Sequence, residues 1–487
     1  LRRTFLAKAF MLQETRQMKG SDFGRYALSY CVAAAMLAGC GVSQPSIGVP
    51  GVAPQRVLRA SGNGSSKYIK HIVVMIQENR SFDNFFATFP NADGAKTGKM
   101  GSKTVKLREV NLYDPCDWGH SYKGFVADYD GGKMDGFAQE GGGGQCPGEA
   151  GRRVYAYVNP EQLAPDWDIA TQYVLADHMF QTQGSGSFTA HQDLIRGGTM
   201  IDQAQTQSLV DFPTATPWGC DAPASTKTYL LVWTDKTIEH EPGPFPCTNK
   251  FPGSGSYYPT LRDRLDAKSV SWKYYSPPVM VGEGKYWNAF DMIAPVRYGP
   301  EWTTNVTKNE LDVLTDISSN KLPAMSWVIP DATNSDHPGN GRDTGPSWIA
   351  DVVNAVGGSP YWSSTAIIVV WDDWGGWYDH VPPPSFDHWG GLGFRVPMMV
   401  ISPYARETSS SEPGYISHTQ YEFGSIIKFI EQTWGLRSLG TTDQRATSIL
   451  DCFDFTQQPR SFTAIPSKYP TSYFLHEQPS NEPVDTQ

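Results

Sequence analysis

Four short runs constrain this chain more than anything else in it: Ile69–Ile76, Ala324–Ile329, Thr365–Trp371 and Val396–Ser402. Each is rich in β-branched side chains and stops at polar or turn residues. Runs apolar on both faces suit interior strands of a parallel sheet. Amphipathic segments lie between them, at Gln192–Ile195, Asn309–Asn320, Trp348–Ala355 and Tyr421–Trp434. The alternation predicts α/β layering. The intervals 88–165 and 200–260 are rich in Gly, Pro and aromatic residues and read as insertions over the top of the sheet, where substrate loops reside. The stretch from 461 to 487 reads as a loosely wrapped tail.

The 487 residues suffice for one large domain or two ordinary ones. Only 18% are charged and 13% are aromatic, which excludes a disordered chain and implies a real core. The net charge of −10 argues against nucleic acid as a partner. It leaves a phosphorylated substrate open, because a bound metal supplies local positive charge within an acidic protein.

Residues 1–40 read as a targeting segment. Lys19 and Arg25 precede the apolar stretch from Tyr26 to Ala38, which is too short to span a bilayer comfortably. It ends in "LAGC", Leu37 to Cys40, which is similar to a bacterial lipobox. The expectation is a lipoprotein anchored through Cys40, exported to the periplasm or outer membrane, with residues 41–66 as a flexible tether. Cys116 with Cys146 and Cys220 with Cys247 would close loops of modest length in an oxidising compartment, leaving Cys452 over. Connectivity is not fixed by sequence.

Ligands of α/β sheets gather at the carboxyl ends of the strands. The first run delivers Glu78 and Asn79 there, the third Asp372 and Asp373, and the second Asp331 and then His337. Such an oxygen-rich set suits a hard divalent cation, which would relieve repulsion among carboxylates brought together. Taken singly, an acidic pair also serves as a helix cap or solvated turn, and a lone histidine as an ordinary polar neighbour. The repetition at several strand ends favours the functional reading.

The segments "ENRSFDNFF", "GSFTAHQ", "SDHPG", "DDWGGWYDHVPPP", "GFRVPMMVISPYA" and "SHTQYEFGSIIKFIE" resemble the bacterial phosphoesterase family of acid phosphatases and phosphatidylcholine-type phospholipases C, within the alkaline-phosphatase-like superfamily. The resemblance runs from about residue 67 to 455. It implies a three-layer α/β/α domain with a mainly parallel central sheet over residues 67–460. It also implies a serine nucleophile at Ser187, with Ser185 the nearby rival, and a metal held by Glu78, Asn79, Ser187, Asp372 and Asp373. Around the phosphate it implies Asn79, His120, Lys133 and His337. Where some relatives carry a second histidine, this chain has Asp336, which puts any paired-imidazole role in doubt. His380 and His418 are expected to be structural, Arg80 and Arg395 to tie loops together, and His191 to be either.

The expectation is metal-assisted phosphoester hydrolysis through a phosphoserine, with His337 protonating the leaving alcohol. The metal is Ca²⁺, Mg²⁺, Mn²⁺ or Zn²⁺, the first three fitting oxygen ligands better. The position of the last family motif favours a phosphomonoesterase of the acid-phosphatase type, with phospholipase C as the alternative. A non-catalytic glycan binder using the 15 Trp and 23 Tyr as platforms is the remote one.

Overall fold

The structure, a computed structural model, describes residues 65–478 except 145, 147, 203–204, 243–246, 248–257, 340–341, 385–390, 410 and 412–413. The targeting segment, Cys40 and nearly all of the tether lie outside the described residues. Among the described residues no helix is long and apolar enough to cross a membrane.

Seven strands form the central sheet: β1 (His71–Gln77), β2 (Val174–Ala176), β3 (Trp272–Tyr275), β4 (Met325–Val328), β5 (Thr365–Trp371), β6 (Met398–Ile401) and β7 (Tyr415–Ser417). Their order is β3-β4-β1-β5-β6-β2-β7. β1 sits between β4 and β5, parallel to both, with Val74 opposite Trp327 and Ile368. Every side chain of β5 is buried, which is why its sequence shows no alternation. The run around β6 departs from expectation: it is antiparallel to both neighbours. A continuous apolar run reports two covered faces and is silent on direction.

The helices that bear on the sheet and the site include α1 (Phe82–Phe86), α2 (Ala164–Gln172), α3 (Ser187–Arg196), α4 (Asp312–Ser318), α5 (Gly345–Gly357) and α6 (Phe423–Trp434). Neighbouring residues of one strand point to opposite faces. Trp327 of β4 donates its indole N–H to the Leu194 carbonyl of α3, and α6 packs on α3. Tyr275 of β3, on the other face, donates to Asp316 of α4, which packs on α5, which in turn packs on α2. Two helical layers therefore enclose the sheet, giving the three-layer α/β/α domain.

The 88–165 insertion carries its own apolar cluster. Trp118, Phe125, Phe137 and Tyr155 pack with Trp374, Trp377 and Phe394 from beyond β5. That cluster fastens the 118–120 loop to the end of β5. Both expected disulfides form, Cys116–Cys146 and Cys220–Cys247, and Cys452 is a buried free thiol. Two expectations change. The aromatic residues are mostly core: Trp118, Trp287, Trp327, Trp348, Trp371, Trp374 and Trp377 are buried, and Tyr113 and Tyr298 are the exposed aromatic rings among the described residues, so sugar platforms have little material. The described part of the tail, 461–478, is docked rather than loose. Phe474 is buried against Trp348, and the Asn354 amide bonds both main-chain groups of Ile465.

Candidate active site

β1 and β5 end side by side, and the turns that follow bring their polar residues together. Asn79 adopts a left-handed conformation (φ 56°), and its amide donates to Asp372 Oδ1 at 2.9 Å. Gly375 and Gly376 also have positive φ, which glycine adopts without steric cost. They are close-approach points as well: a Cβ on Gly375 would lie 2.3 Å from the Asn79 carbonyl oxygen, and one on Gly376 2.5 Å from Trp118 Cβ. The pair is what lets the Asn79 and 118–120 loops close on Asp372-Asp373. Ser187 opens α3, behind Gly186, so the amino end of that helix joins the same rim.

Glu78, Asn79, Ser187, Asp372 and Asp373 converge, all buried. Ser187 Oγ donates to Asp373 Oδ2 at 3.1 Å and lies 3.5 Å from Asn79 Oδ1. The carboxylates share one pattern. Asp372 Oδ1 accepts the amides of Asn79 and Asp373 (2.9 and 2.7 Å), while Oδ2 has no hydrogen-bond donor. Glu78 Oε1 accepts from His191 Nε2 at 2.9 Å, while Oε2 has no donor. Asp373 Oδ1 accepts the Gly375 amide at 2.7 Å, leaving Oδ2 to Ser187. In each, one oxygen is fixed by the chain and the other is available. Buried oxygens without donors are costly. Burial, and then the charge of Asp373, push Asp372 up to about 7. Burial also raises Asp373 to about 7, against the Gly375 amide and Ser187 hydroxyl. Glu78 is raised well above its ordinary value by burial and the charge of Asp372. A cation would remove that repulsion, so these residues fit a bound metal.

His120 reaches the same place. Its Nδ1 donates to the Trp118 carbonyl at 2.7 Å, so Nε2 accepts from Asn79 Nδ2 at 3.2 Å and lies 3.9 Å from Asp373 Oδ2. His337 is buried, with Nδ1 donating to the Pro338 carbonyl and Nε2 without a partner. Burial, and then His120, bring it down to about 3.

Lys133 is not brought in. The left-handed Asp130 and Gly131 turn it outward, where its exposed ammonium pairs with Asp130 at 2.7 Å. Ser185, the rival nucleophile, is buried with its hydroxyl accepting the Asp211 amide at 2.8 Å. Asp331 caps the turn 332–334. Asp336 accepts from Gln77, and its carbonyl from Arg80. Arg80 also bonds Asn84 and the Leu112 carbonyl, tying loops as expected. Arg395, His380 and His418 pair with Asp379, Asp83 and Asp177 away from Ser187. Sequence reasoning left His191 undecided, although its position four residues after Ser187 puts both on one helical face.

A serine hydroxyl among half-satisfied carboxylates, at the carboxyl edge of a mainly parallel sheet, has the makings of a phosphoryl-transfer site. Residues 69–437 match the Phosphoesterase family, and the chain belongs to it. It is 24% identical over 446 residues to the non-hemolytic phospholipase C of Pseudomonas aeruginosa, matching 77% of this chain and 55% of that one. It is 26% identical over 455 residues to phospholipase C A of Mycobacterium tuberculosis (81% and 78%). It is 25% identical over 453 residues to non-specific phospholipase C1 of Arabidopsis thaliana (82% and 74%). The chain thus spans little more than half the length of the Pseudomonas relative. Among solved structures, a protein of the alkaline phosphatase superfamily from Vibrio parahaemolyticus is similar at a TM-score of 0.35 and 11% identity, covering 79% of this chain and 72% of that one.

Proposed function

We propose that this chain is a metal-assisted phosphoester hydrolase in which Ser187 is the nucleophile. The observation that carries the reading is a pair of buried oxygens without donors, Glu78 Oε2 and Asp372 Oδ2, on residues whose carboxylates approach within 4.8 Å of each other, with the Ser187 hydroxyl bonded to the adjoining Asp373. Glu78, Asn79, Asp372, Asp373 and Ser187 would hold a divalent ion, whose charge favours the serine alkoxide and neutralises phosphoryl oxygens. Asp373 Oδ2, already accepting the Ser187 hydrogen bond, is placed to take the proton as Oγ attacks phosphorus in line, while the bond to the alcohol oxygen on the opposite side breaks and that oxygen takes its proton from solvent water. Asn79 Nδ2 and His120 Nε2 flank the attack site, and the amino end of α3 adds main-chain donors for an anion. His337 enters as an acceptor through its unpartnered Nε2, because burial keeps the ring neutral. That role suits the water that cleaves the phosphoserine better than initial protonation of the leaving alcohol.

Relatives named as phospholipases C favour a phospholipid substrate and move that reading ahead of the phosphomonoesterase. The proposed anchor at Cys40 would place the enzyme at a membrane, in the cell envelope. Ser187→Ala should fold normally yet lose roughly 10³-fold or more in turnover, and chelation should silence the wild type. The assay runs p-nitrophenyl phosphate beside phosphatidylcholine. Diacylglycerol release supports the phospholipase, and cleavage of the monoester alone returns the reading to a phosphatase. An active Ser187→Ala protein ends the serine mechanism.

A further inference from the structure

Glu78 presents Oε1 to His191 and keeps Oε2 without a donor. The His191 Nε2 lies 2.9 Å from Glu78 Oε1 and 3.9 Å from Asp372 Oδ2, with all three residues fully buried. Two assignments fit that placement. As a direct metal ligand, Nε2 would carry no hydrogen, and Nδ1–H would be a buried donor; Nδ1 has no acceptor. Ligating imidazoles nearly always donate their other N–H, and orphaned buried N–H groups are rarer than spare acceptors. As a donor, Nε2–H satisfies Oε1, and the leftover atom is only a lone pair.

The ring is braced from outside. Trp287, itself buried, stacks on His191 at 6.3 Å and 8° between planes, an offset-stacked arrangement. The same indole meets His337 at 5.8 Å and 29°. Its main-chain carbonyl accepts from the Tyr274 hydroxyl at 2.9 Å, which ties it to β3. His191 also rides on the helix that begins with Ser187, so the nucleophile and the group holding Glu78 are one rigid unit.

We infer that His191 is a positioning residue: its Nε2–H holds Oε1 of Glu78 and thereby aims Oε2 at the ion, with Trp287 fixing the imidazole plane. The inference rests on the metal reading given above.

The test uses the full chain stripped of metal and titrated with Mn²⁺ alone. His191→Leu keeps the bulk and loses the donor; His191→Gln keeps a donor at similar reach. Loss of a hydrogen bond to a ligand commonly costs about 10–100-fold in metal affinity. Leu should weaken Mn²⁺ binding by that factor and Gln should restore most of it. Trp287→Leu should fall between them, lowering kcat more than it changes KM. Pulsed EPR of the wild-type Mn²⁺ complex should show no coupling to a coordinated imidazole nitrogen. Such a coupling, lost in the Gln variant, overturns the positioning role in favour of direct ligation. Wild-type affinity in His191→Leu, with Glu78→Gln strongly weakened, overturns it while leaving the metal reading intact. No Mn²⁺ uptake by the wild type overturns both. Should the Leu variant not fold, the Gln variant and the wild-type EPR spectrum still decide.

Discussion

Glu78 and Asp83 lie on one short segment, Asp373 and Asp379 on another, yet the two pairs serve different buried knots. Around Asp83 and Asp379 the chain supplies its own cation. The Arg395 guanidinium bonds both oxygens of Asp379 (2.9 and 3.1 Å) and lies 3.4 Å from Asp83 Oδ1; its remaining hydrogens go to the Asp93 and Asp177 carbonyls. His380 takes the other oxygen of Asp83 at 2.7 Å. Around Glu78, Asp372 and Asp373 the partners are amides, a hydroxyl and His191, and two oxygens are left over. The difference separates a carboxylate knot that fastens loops from one that receives something. The first already contains a guanidinium; the second, on the reading proposed above, takes its cation from outside.

The sharpest way to break this contrast is to remove a charge from each knot. Arg395→Met leaves Asp83 and Asp379 buried without their cation and should cost about 3–5 kcal/mol, with or without metal. Asp372→Asn should do the opposite to the metal-free protein. The asparagine oxygen still accepts the amides of Asn79 and Asp373, and its new N–H₂ relieves the repulsion with Glu78, so the fold gains roughly 1–2 kcal/mol. Divalent-ion binding should vanish in the same variant. Thermal melts of both variants, with EDTA and with Mn²⁺, read these effects. A metal-free Asp372→Asn protein melting well below wild type would mean that Asp372 already has a partner within the chain.

Much of this was legible in advance, for physical reasons that also mark where legibility ends. β1, β4 and β5 announce themselves because two covered faces demand unbroken apolar runs. β2 and β7 do not, being only three residues long, nor does β3, which is half tyrosine. The convergence of Glu78, Asn79, Ser187, Asp372 and Asp373 could be proposed because strand ends share a rim and the family motifs point there. Lys133 misled because its motif says nothing about direction, which the left-handed Asp130 decides. His191 was within reach through its spacing from Ser187; Trp287 was not, since a tryptophan ending a short helix carries no sign of the two imidazoles it will meet.

A smaller effect sharpens the comparison through pH. Asp372 and Asp373 titrate at about 7 in the metal-free fold and near 4 when unfolded. Between these values the folded state binds more protons than the unfolded one, so this contribution to stability falls as pH rises from about 4 to about 7. Metal binding must expel those protons, so affinity should climb over the same window. Melting temperature of the EDTA-treated wild type minus that of Asp372→Asn should therefore decline with pH, and saturating Mn²⁺ should abolish the decline. The Arg395 knot adds a term of the same sign that the ion leaves untouched: His380 is raised, burial opposing the shift and Asp83 driving it. Its contribution is complete below the free histidine value and fades as pH climbs past the folded one. A pH slope confined to values above that of a free histidine, and insensitive to both metal and Asp372→Asn, would belong to the Arg395 knot.

The smallest expected effect is that at Lys133, set against His120, two residues that the family resemblance offered together as phosphate contacts. His120 stands 3.2 Å from Asn79 and 3.9 Å from Asp373, behind a disulfide and an apolar cluster that fix its loop. Truncation to alanine removes the acceptor that orients the Asn79 amide beside Ser187 and should lower kcat/KM by roughly 100-fold. Lys133 has its side chain 66% exposed and is engaged with Asp130 in solvent. Lys133→Ala should change kcat/KM by no more than roughly twofold and leave the melting temperature unmoved, as surface substitutions generally do. If Lys133→Ala instead loses activity on the scale of His120→Ala, the 130–133 turn must swing its ammonium inward when substrate binds. The division between a closed surface pair and an open catalytic knot would then hold only for the resting enzyme.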